Sequence, residues 1–276
     1  MRRHERTFVV ADRELRTVVR NRALLAVAAA FFAAVVGLGG ASTGSPGGYV
    51  SLTYNLLVPV AVLVPVLAFA FGYQSVRGDA ARGEVDVIRT YPVSRAEYAL
   101  GVFVGRALAV LAVVVASLAV AGVVASTGAE QPASFLATHS AGDTLAVYAR
   151  FVLFAVGYAL AVVALVLAAS AVSRSDREAL AVTAGVVVVV VFVLDLALVT
   201  LLSMGFLTAD SVAAFLAVGP SSAFRGLVFE LAVRPALATP LPVRTAAPAL
   251  SAAGLLAWWA VGVGVTALAA WPAGDE

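Results

Sequence analysis

The chain has 276 residues, of which 62% are hydrophobic and 12% are charged, and its formal net charge is +2. Soluble domains carry about 25% charged residues and about 45–50% apolar residues, so the composition excludes an ordinary soluble domain and predicts an integral membrane protein. The chain has no cysteine, which excludes disulfides and thiolate metal sites. It also has no lysine, which excludes a P-loop ATP site because that loop needs one.

Six segments are long and apolar enough to cross a bilayer. A membrane-spanning helix needs about 20 mostly apolar residues, and lipid allows only helices and closed barrels to span it. These segments do not alternate as barrel strands do, so we expect an all-α integral membrane protein. The predicted spans are 23–40, 54–73, 107–125, 151–172, 179–202 and 249–271.

The arginines are distributed unevenly between the two sides of these spans. Fourteen of the 18 lie before span one, between spans two and three, or between spans four and five. Cytoplasmic segments of membrane proteins are enriched in basic residues. We therefore expect cytoplasmic N- and C-termini, a plasma-membrane location, and an extracytoplasmic loop over 203–248.

Residues 5–22, ahead of the first span, have a helical pattern of their own. Apolar residues recur at helical spacing, at Phe8, Ala11, Leu15 and Val18. Three arginines share another face of the same helix: Arg13, Arg16 and Arg20. This pattern predicts a basic amphipathic helix at the inner membrane surface, with membrane lipid as its partner. The alternative is a solvated helical extension with no surface role.

Three residues interrupt the apolar pattern inside predicted spans. Pro59 and Pro65 each remove a backbone donor from span two, where a bent helix either lines a pathway or is a structural kink. Asp195 is an acidic residue inside span five, and an ionisable group there is a functional candidate by default. Three roles are open for it: substrate contact, an interhelical hydrogen bond, or packing as a protonated acid.

Residues 74–94, between spans two and three, contain more polar structure than a simple connection needs. Ser94-Arg95-Ala96-Glu97 is a capping box, so a helix should begin at Arg95. If that helix runs to Ala125, it is about 46 Å long and exceeds the hydrocarbon core of about 30 Å. We therefore expect it to project into the cytoplasm.

Two further patterns concern helix starts and helix packing. Ser175-Asp176-Arg177-Glu178 is a second capping box, and with Arg174 it forms a second cytoplasmic turn, which is either a contact site or helix punctuation.

Gly101 and Gly105 have the G-x-x-x-G spacing that lets helices approach closely. They predict packing either within the subunit or at a dimer seam.

The stretch GDAARGEVDVIRTYPVSRAEYALGVFVGR, residues 78–106, resembles the signature between the second and third spans of ABC-2-type transporter permeases. An acidic residue, a glycine, an apolar helix, a Pro-Val-Ser-Arg turn and a glycine-rich start follow in the family's order. Here they are Asp79, Gly83, Val85 to Ile88, Pro92 to Arg95, and Gly101 with Gly105. Val102 stands where the family often has a basic residue. The amphipathic helix and the six spans are also similar to the family's.

Two other stretches are similar to one branch of this family, the permease of the transporter that helps mature the copper sites of nitrous oxide reductase. They are FVLDLALVTLL in span five and AVGPSSAFRGLVF after it, where Gly219-Pro220 replaces the branch's Asn-Pro. The chain has no cysteine, two histidines and two methionines, so it is poor in the soft ligands that copper(I) favours. We expect no metal site on this chain.

The resemblance implies a homodimeric permease beneath which two ABC ATPase subunits dock, with a short cytoplasmic helix that couples ATP hydrolysis to the spans. The implied coupling residues are Arg82, Gly83, Glu84, Asp86, Arg89, Pro92, Ser94 and Arg95, with Arg174, Asp176 and Arg177 in the second turn. ATP and Mg²⁺ would bind the partner ATPase. This chain would then have no cofactor, no catalytic residue and no nucleic-acid partner, and an extracytoplasmic accessory protein is left open.

We therefore expect the permease subunit of an ABC-2-type transporter, favouring export, and not an enzyme. The alternative is a secondary transporter that uses Asp195 as an ion or proton site, although that class tends to show repeats and broken midplane helices, which are not evident here. An intramembrane enzyme is disfavoured because the sequence offers neither a suitable general base nor metal ligands. The sequence does not identify the substrate.

Overall fold

The computed structural model describes residues 3–42, 48–91, 93–127, 144–206, 209–237 and 246–270, and within these ranges every regular element is a helix. The long helices are α2 (Arg22–Ala41), α3 (Gly48–Gly72), α6 (Arg95–Thr127), α7 (Leu145–Val172) and α12 (Pro248–Ala269). A further long stretch joins α8 (Asp176–Val188), a π-helical segment (Val189–Val193) and α9 (Leu194–Ser203).

Shorter helices lie before, between and after these spans. They are α1 (Arg3–Arg20), α4 (Ser75–Ala81), α5 (Glu84–Arg89), α10 (Ala209–Leu216) and α11 (Pro220–Val228). Helix α11 continues through a second π-helical segment (Phe229–Val233) into a 3₁₀ turn (Arg234–Ala236).

Six helical stretches of the described chain are long and apolar enough to cross a membrane, which confirms the all-α class and the six expected spans. The most apolar parts of spans two, three and four are 50, 44 and 61% buried, against 17, 11 and 17% in spans one, five and six. Spans two to four therefore form the core. The outer three spans keep long apolar faces for lipid or for another chain.

Helix α7 is the centre of the bundle and packs against α3, α6, α11 and α12. Tyr158 and Phe151 on α7 are among the largest fully buried side chains. Helix α12 lies against α7 at Gly262, where an added Cβ would be 2.5 Å from the carbonyl carbon of Ala164. The close approach of these helices therefore depends on a glycine at this position.

Pro65 lies inside α3, and α7 compensates for the hydrogen bond that this proline removes. Pro65 has no N–H, so the carbonyl of Ala61, four residues earlier, loses its helical donor. The buried hydroxyl of Tyr158 donates to that carbonyl at 2.8 Å. An unsatisfied carbonyl is costly inside a membrane, so Pro65, itself buried, has a structural role in the core, whereas Pro59 is half-buried.

Part of the predicted 203–248 loop folds back into the bundle as a hairpin of α10 and α11. In its turn, Gly219 lies beside Leu194, and the Trp258 indole donates to the carbonyl of Val218 at 2.7 Å. Leu194 is nine residues before Ser203, the end of span five, or about 14 Å along the helix. The hairpin therefore enters the half of the bundle away from α4 and α5, where protein shields its backbone from lipid.

We predict that Tyr158→Phe lowers the free energy of unfolding by about 1 kcal/mol, because the Ala61 carbonyl is left without a donor. SDS-induced unfolding of the purified protein in mixed micelles measures the change. Tyr54→Phe, at a residue 65% exposed, is the matched control and should have no effect. In a Pro65→Ala background the N–H returns, so Tyr158→Phe should cost less there; an equal cost in both backgrounds would contradict the compensation.

Candidate functional site

The predicted coupling residues lie on one polar surface formed by α1, α4, α5 and the start of α6. Gly83, with φ of 70°, is in the left-handed region and turns the chain from α4 into α5. At the start of α6, the Ser94 hydroxyl accepts the Glu97 N–H at 3.3 Å, and the Glu97 carboxylate accepts the Ser94 N–H at 2.8 Å. The capping box is therefore formed, and Ser94 and Arg95 are exposed beside it.

Charged groups from three of these helices meet in one cluster. Arg13 on α1 contacts Asp79 at 2.9 Å and also pairs with Glu84. Arg82 pairs with the same two carboxylates, at 2.8 Å to Asp79 and 2.6 Å to Glu84. The buried Tyr98 on α6 donates its hydroxyl to Asp79 at 3.0 Å. We call these five residues the ionic cluster; it ties α1, α4, α5 and α6 together.

A second charge pair fixes α1 on the bundle. The Arg106 guanidinium on α6 donates to the Glu14 carboxylate at 2.8 Å and to the carbonyl of Phe71, near the end of α3, at 2.8 Å. Both charged side chains are buried. A buried charge is costly unless it is paired, so this pair determines where α1 lies.

The two acidic groups that hold α1 differ in their electrostatic surroundings. Burial raises the pKa of Glu14 above its ordinary value, against the opposing charge of Arg106. Burial acts on Glu84 in the same direction, but the hydrogen bond from Arg82 and the charges of Arg13 and Arg82 outweigh it and lower the pKa. Glu84 therefore contributes stability above its ordinary pKa, and that contribution is lost as the pH falls through the lowered value.

Gly101 and Gly105 allow α1 to lie directly on α6. An added Cβ would be 2.5 Å from the Cβ of Val10 at Gly101, and 2.5 Å from the Cβ of Glu14 at Gly105. Distances this short mean that any larger residue would push the helices apart. Of the two roles predicted for this spacing, the structure shows packing within the subunit.

The second predicted turn lies beside the first surface. The Glu178 carboxylate accepts the Arg174 N–H at 2.8 Å at the start of α8. Arg77 on α4 lies 3.7 Å from Asp176 in this turn, and Arg174 and Arg177 are exposed. A long, partly exposed ion pair of this kind contributes little to stability, so the two turns are neighbours without being firmly joined.

Large apolar side chains are exposed on the outer face of residues 74–94, which we call the predicted coupling region. Val87 is 59% exposed and Tyr91 is 63% exposed. Both side chains are therefore open to contact with another protein or with lipid headgroups. Pro92 and the side chains of Asp86 and Arg89, which the sequence also placed here, lie outside the described part of the structure.

Asp195 is distant from this surface and pairs with Arg225 on α11. The contact joins span five to the hairpin, and of the three roles open for Asp195 it matches the interhelical hydrogen bond. This partner could not be predicted, because Arg225 lies in a stretch that was expected outside the bundle. Among the described residues, no group of three or more His, Asp or Glu side chains is placed to hold a metal ion.

Four residues belong to the site although the sequence pattern did not place them there: Arg13, Glu14, Tyr98 and Arg106. The sequence does contain a signal for two of them, Glu14 and Arg106. Glu14 lies on the apolar face of α1, where a charge needs a buried partner, and Arg106 adjoins the apolar run of span three. The sequence shows each unusual charge, but it does not show that the two meet.

Comparisons with known proteins agree on one family. The profile of the family described as "ABC-2 family transporter protein" matches residues 8–271. The chain is 30% identical over 228 residues to the probable ABC transporter permease protein NosY of Stutzerimonas stutzeri, and the alignment covers 78% of each chain. It is also 32% identical over 106 residues to the probable ABC transporter permease protein NosY of Pseudomonas aeruginosa. That alignment covers 37% of this chain and 38% of the relative.

We predict that Gly105→Ala destabilises the protein by about 1–3 kcal/mol, because the new methyl group overpacks the contact between α1 and α6. Its Cβ would be 2.7 Å from the Ala11 carbonyl oxygen as well as close to Glu14. Gly157→Ala on α7 is the matched control, since an added Cβ there meets nothing within 4 Å. SDS-induced unfolding compares the two, and equal stability of both variants would contradict the packing of α1 on α6.

Proposed function

The chain belongs to the ABC-2 family of transporter proteins, and on that premise we propose that it is the membrane-spanning permease of an exporter driven by a separate ABC ATPase. Membership in this family makes it a transport subunit rather than an enzyme. The absence of lysine from the sequence removes the P-loop residue that reaches the ATP phosphates. ATP and Mg²⁺ would therefore be bound by the partner.

The observation that carries the proposal is the polar surface on α4 and α5, which is both exposed and firmly anchored. The ionic cluster ties α5 to α1 through Arg13 and ties α4 to α6 through the bond between Tyr98 and Asp79. Helix α6 has 33 residues and is about 50 Å long. A push on α5 would therefore reach the membrane part of the bundle through a rigid helix.

The coupling residues would divide into two groups. Arg82 and Glu84 form ion pairs within this chain, so we propose that they hold the shape of the coupling region. Val87 and Tyr91 are exposed on its surface, so we propose that they make the apolar part of the ATPase contact. We also propose that Asp86 and Arg89 contact the ATPase.

The proposed orientation has α1 at the cytoplasmic surface of the plasma membrane, with both termini in the cytoplasm. The bias of the arginines supports this orientation. Phe8, Val9 and Val19 on α1 are 66, 59 and 64% exposed, whereas Glu14 is buried against α6. A helix that keeps apolar side chains open on one face while its other face is packed fits contact with lipid.

We propose that two copies of the chain pair in the membrane, so that the complex contains two permeases and two ATPases. The exposed apolar faces of spans one and six leave room for a second copy. An accessory protein on the extracytoplasmic side is compatible with this arrangement. The alternative of a secondary transporter is not favoured, because the Asp195 carboxylate is occupied by Arg225 and the family match is to ABC-2 transporters.

We predict that Val87→Asp combined with Tyr91→Asp weakens binding of the co-expressed Walker-motif ATPase by about tenfold or more, because burying an unpaired charge in an interface costs about 2 kcal/mol or more. The measurement is the amount of ATPase that co-purifies with the tagged permease. Native mass spectrometry of the wild-type complex should show two copies of each subunit.

Phe206→Asp is the matched control for this experiment. Phe206 is 72% exposed at the opposite end of the bundle, so its substitution should leave ATPase retention unchanged. Full retention by the double variant would count against α5 as the docking surface. ATP hydrolysis by the purified permease alone would contradict the proposal that a separate chain binds and hydrolyses ATP.

A further inference from the structure

A cavity of about 310 Å³ lies between span five, α7, α12 and the hairpin turn. Its walls include Val186, Val190, Leu194, Leu165, Pro220 and Trp258. These side chains are apolar apart from the indole N–H of Trp258, and that group already donates to the carbonyl of Val218 at 2.7 Å. The cavity therefore offers no free hydrogen-bonding side chain among the described residues that line it.

The cavity opens sideways at the middle of span five. Gly185 and Val189 line it and are both exposed on the outside of the bundle. Span five runs over Asp176–Ser203, so these residues lie about 14 and 20 Å along a helix of about 42 Å. That depth is inside the hydrocarbon core, which is about 30 Å thick, so the opening faces acyl chains.

We propose that this cavity binds one hydrocarbon chain of a bilayer phospholipid, which enters between Gly185 and Val189 and lies against Trp258. An empty apolar space would forfeit the dispersion contacts of its walls, and water needs polar partners that these walls lack. The volume is at the lower end of the range of about 300–1,000 Å³ that small-molecule sites occupy.

The charges nearest to the cavity also favour an uncharged occupant. Asp195 follows Leu194 in the cavity wall, and its carboxylate is paired with Arg225 on α11. This pair leaves the cavity without a free charge for an ionic solute. The bound chain would fill the space between span five and the hairpin turn, where Pro220 and Trp258 form the opposite wall. This inference depends on the helices crossing a bilayer and not on the ATPase partner.

The first test uses tryptophan fluorescence of the full chain in liposomes made with phospholipids that are brominated in the middle of the acyl chain. The chain has three tryptophans, so Trp259→Phe with Trp271→Phe leaves Trp258 as the reporter. Trp258→Phe with Trp271→Phe leaves Trp259, which is 36% exposed on the outside of α12. We expect bromine to quench both reporters, because both would touch acyl chains.

Variants that fill the cavity separate the bound chain from the surrounding lipid. An added Cβ at Gly185 meets nothing within 4 Å, so Gly185→Leu can grow into the opening without a clash; Val189→Phe fills it independently. Each should reduce the quenching of Trp258 by roughly half or more, since the new side chain takes the space of the acyl chain, and should leave Trp259 unchanged. Gly264→Leu, also at an open glycine, is the matched control and should change neither reporter.

Three results would overturn the proposal. The first is no quenching of Trp258 while Trp259 is quenched, which would mean that lipid does not enter. The second is unchanged Trp258 quenching in both filling variants, which would mean that the quenching lipid lies outside the cavity. The third is rapid disulfide dimerisation of Gly185→Cys, the single cysteine in an otherwise cysteine-free chain, which would mean that a second copy covers the opening.

Discussion

The buried pair of Glu14 and Arg106 is the interaction on which the α1 end of the bundle depends. Removing one partner of such a pair leaves an uncompensated buried charge, at a cost of about 3–5 kcal/mol, so α1 has one acceptable position on α6. That position requires the glycines at 101 and 105, because their missing side chains let the helices approach. It also brings Arg13 to Asp79 and Glu84. The predicted coupling region is thus held by a helix that is distant from it in sequence.

Helix α6 connects this charged end with the opposite half of the bundle. Its first turns carry Tyr98, which is bonded to Asp79, and its last third accepts a hydrogen bond from Tyr148 of α7 to the carbonyl of Leu118 at 2.6 Å. Helix α7 in turn holds the hairpin, because the ring of Tyr158 stacks on Phe224 with centroids 4.9 Å apart. A displacement of α5 therefore has a continuous path of specific contacts to the hairpin.

The parts of this path that are local in sequence could be predicted, and the parts that join distant segments could not. The helix start at Arg95 follows from the capping box, and the six spans follow from their apolar length. Glu14 and Arg106, by contrast, are 92 residues apart, and periodicity indicates a face but not its partner. The hairpin was expected outside because it lies in the predicted extracytoplasmic loop 203–248, yet Ser221 and Ser222 in it are buried among the helices.

The two ends of the bundle are held by different kinds of force, and this difference bears on which part moves. Charge-assisted hydrogen bonds at the α1 end demand fixed directions, so α1, α4, α5 and α6 should move as one body. Span five is held by apolar packing, which is not directional, and its most apolar part is 11% buried. The link between Asp195 and Arg225 is the described ion pair that joins it to the hairpin. Span five therefore has fewer buried side chains to hold it than spans two to four have, and we expect it to move more readily than they do.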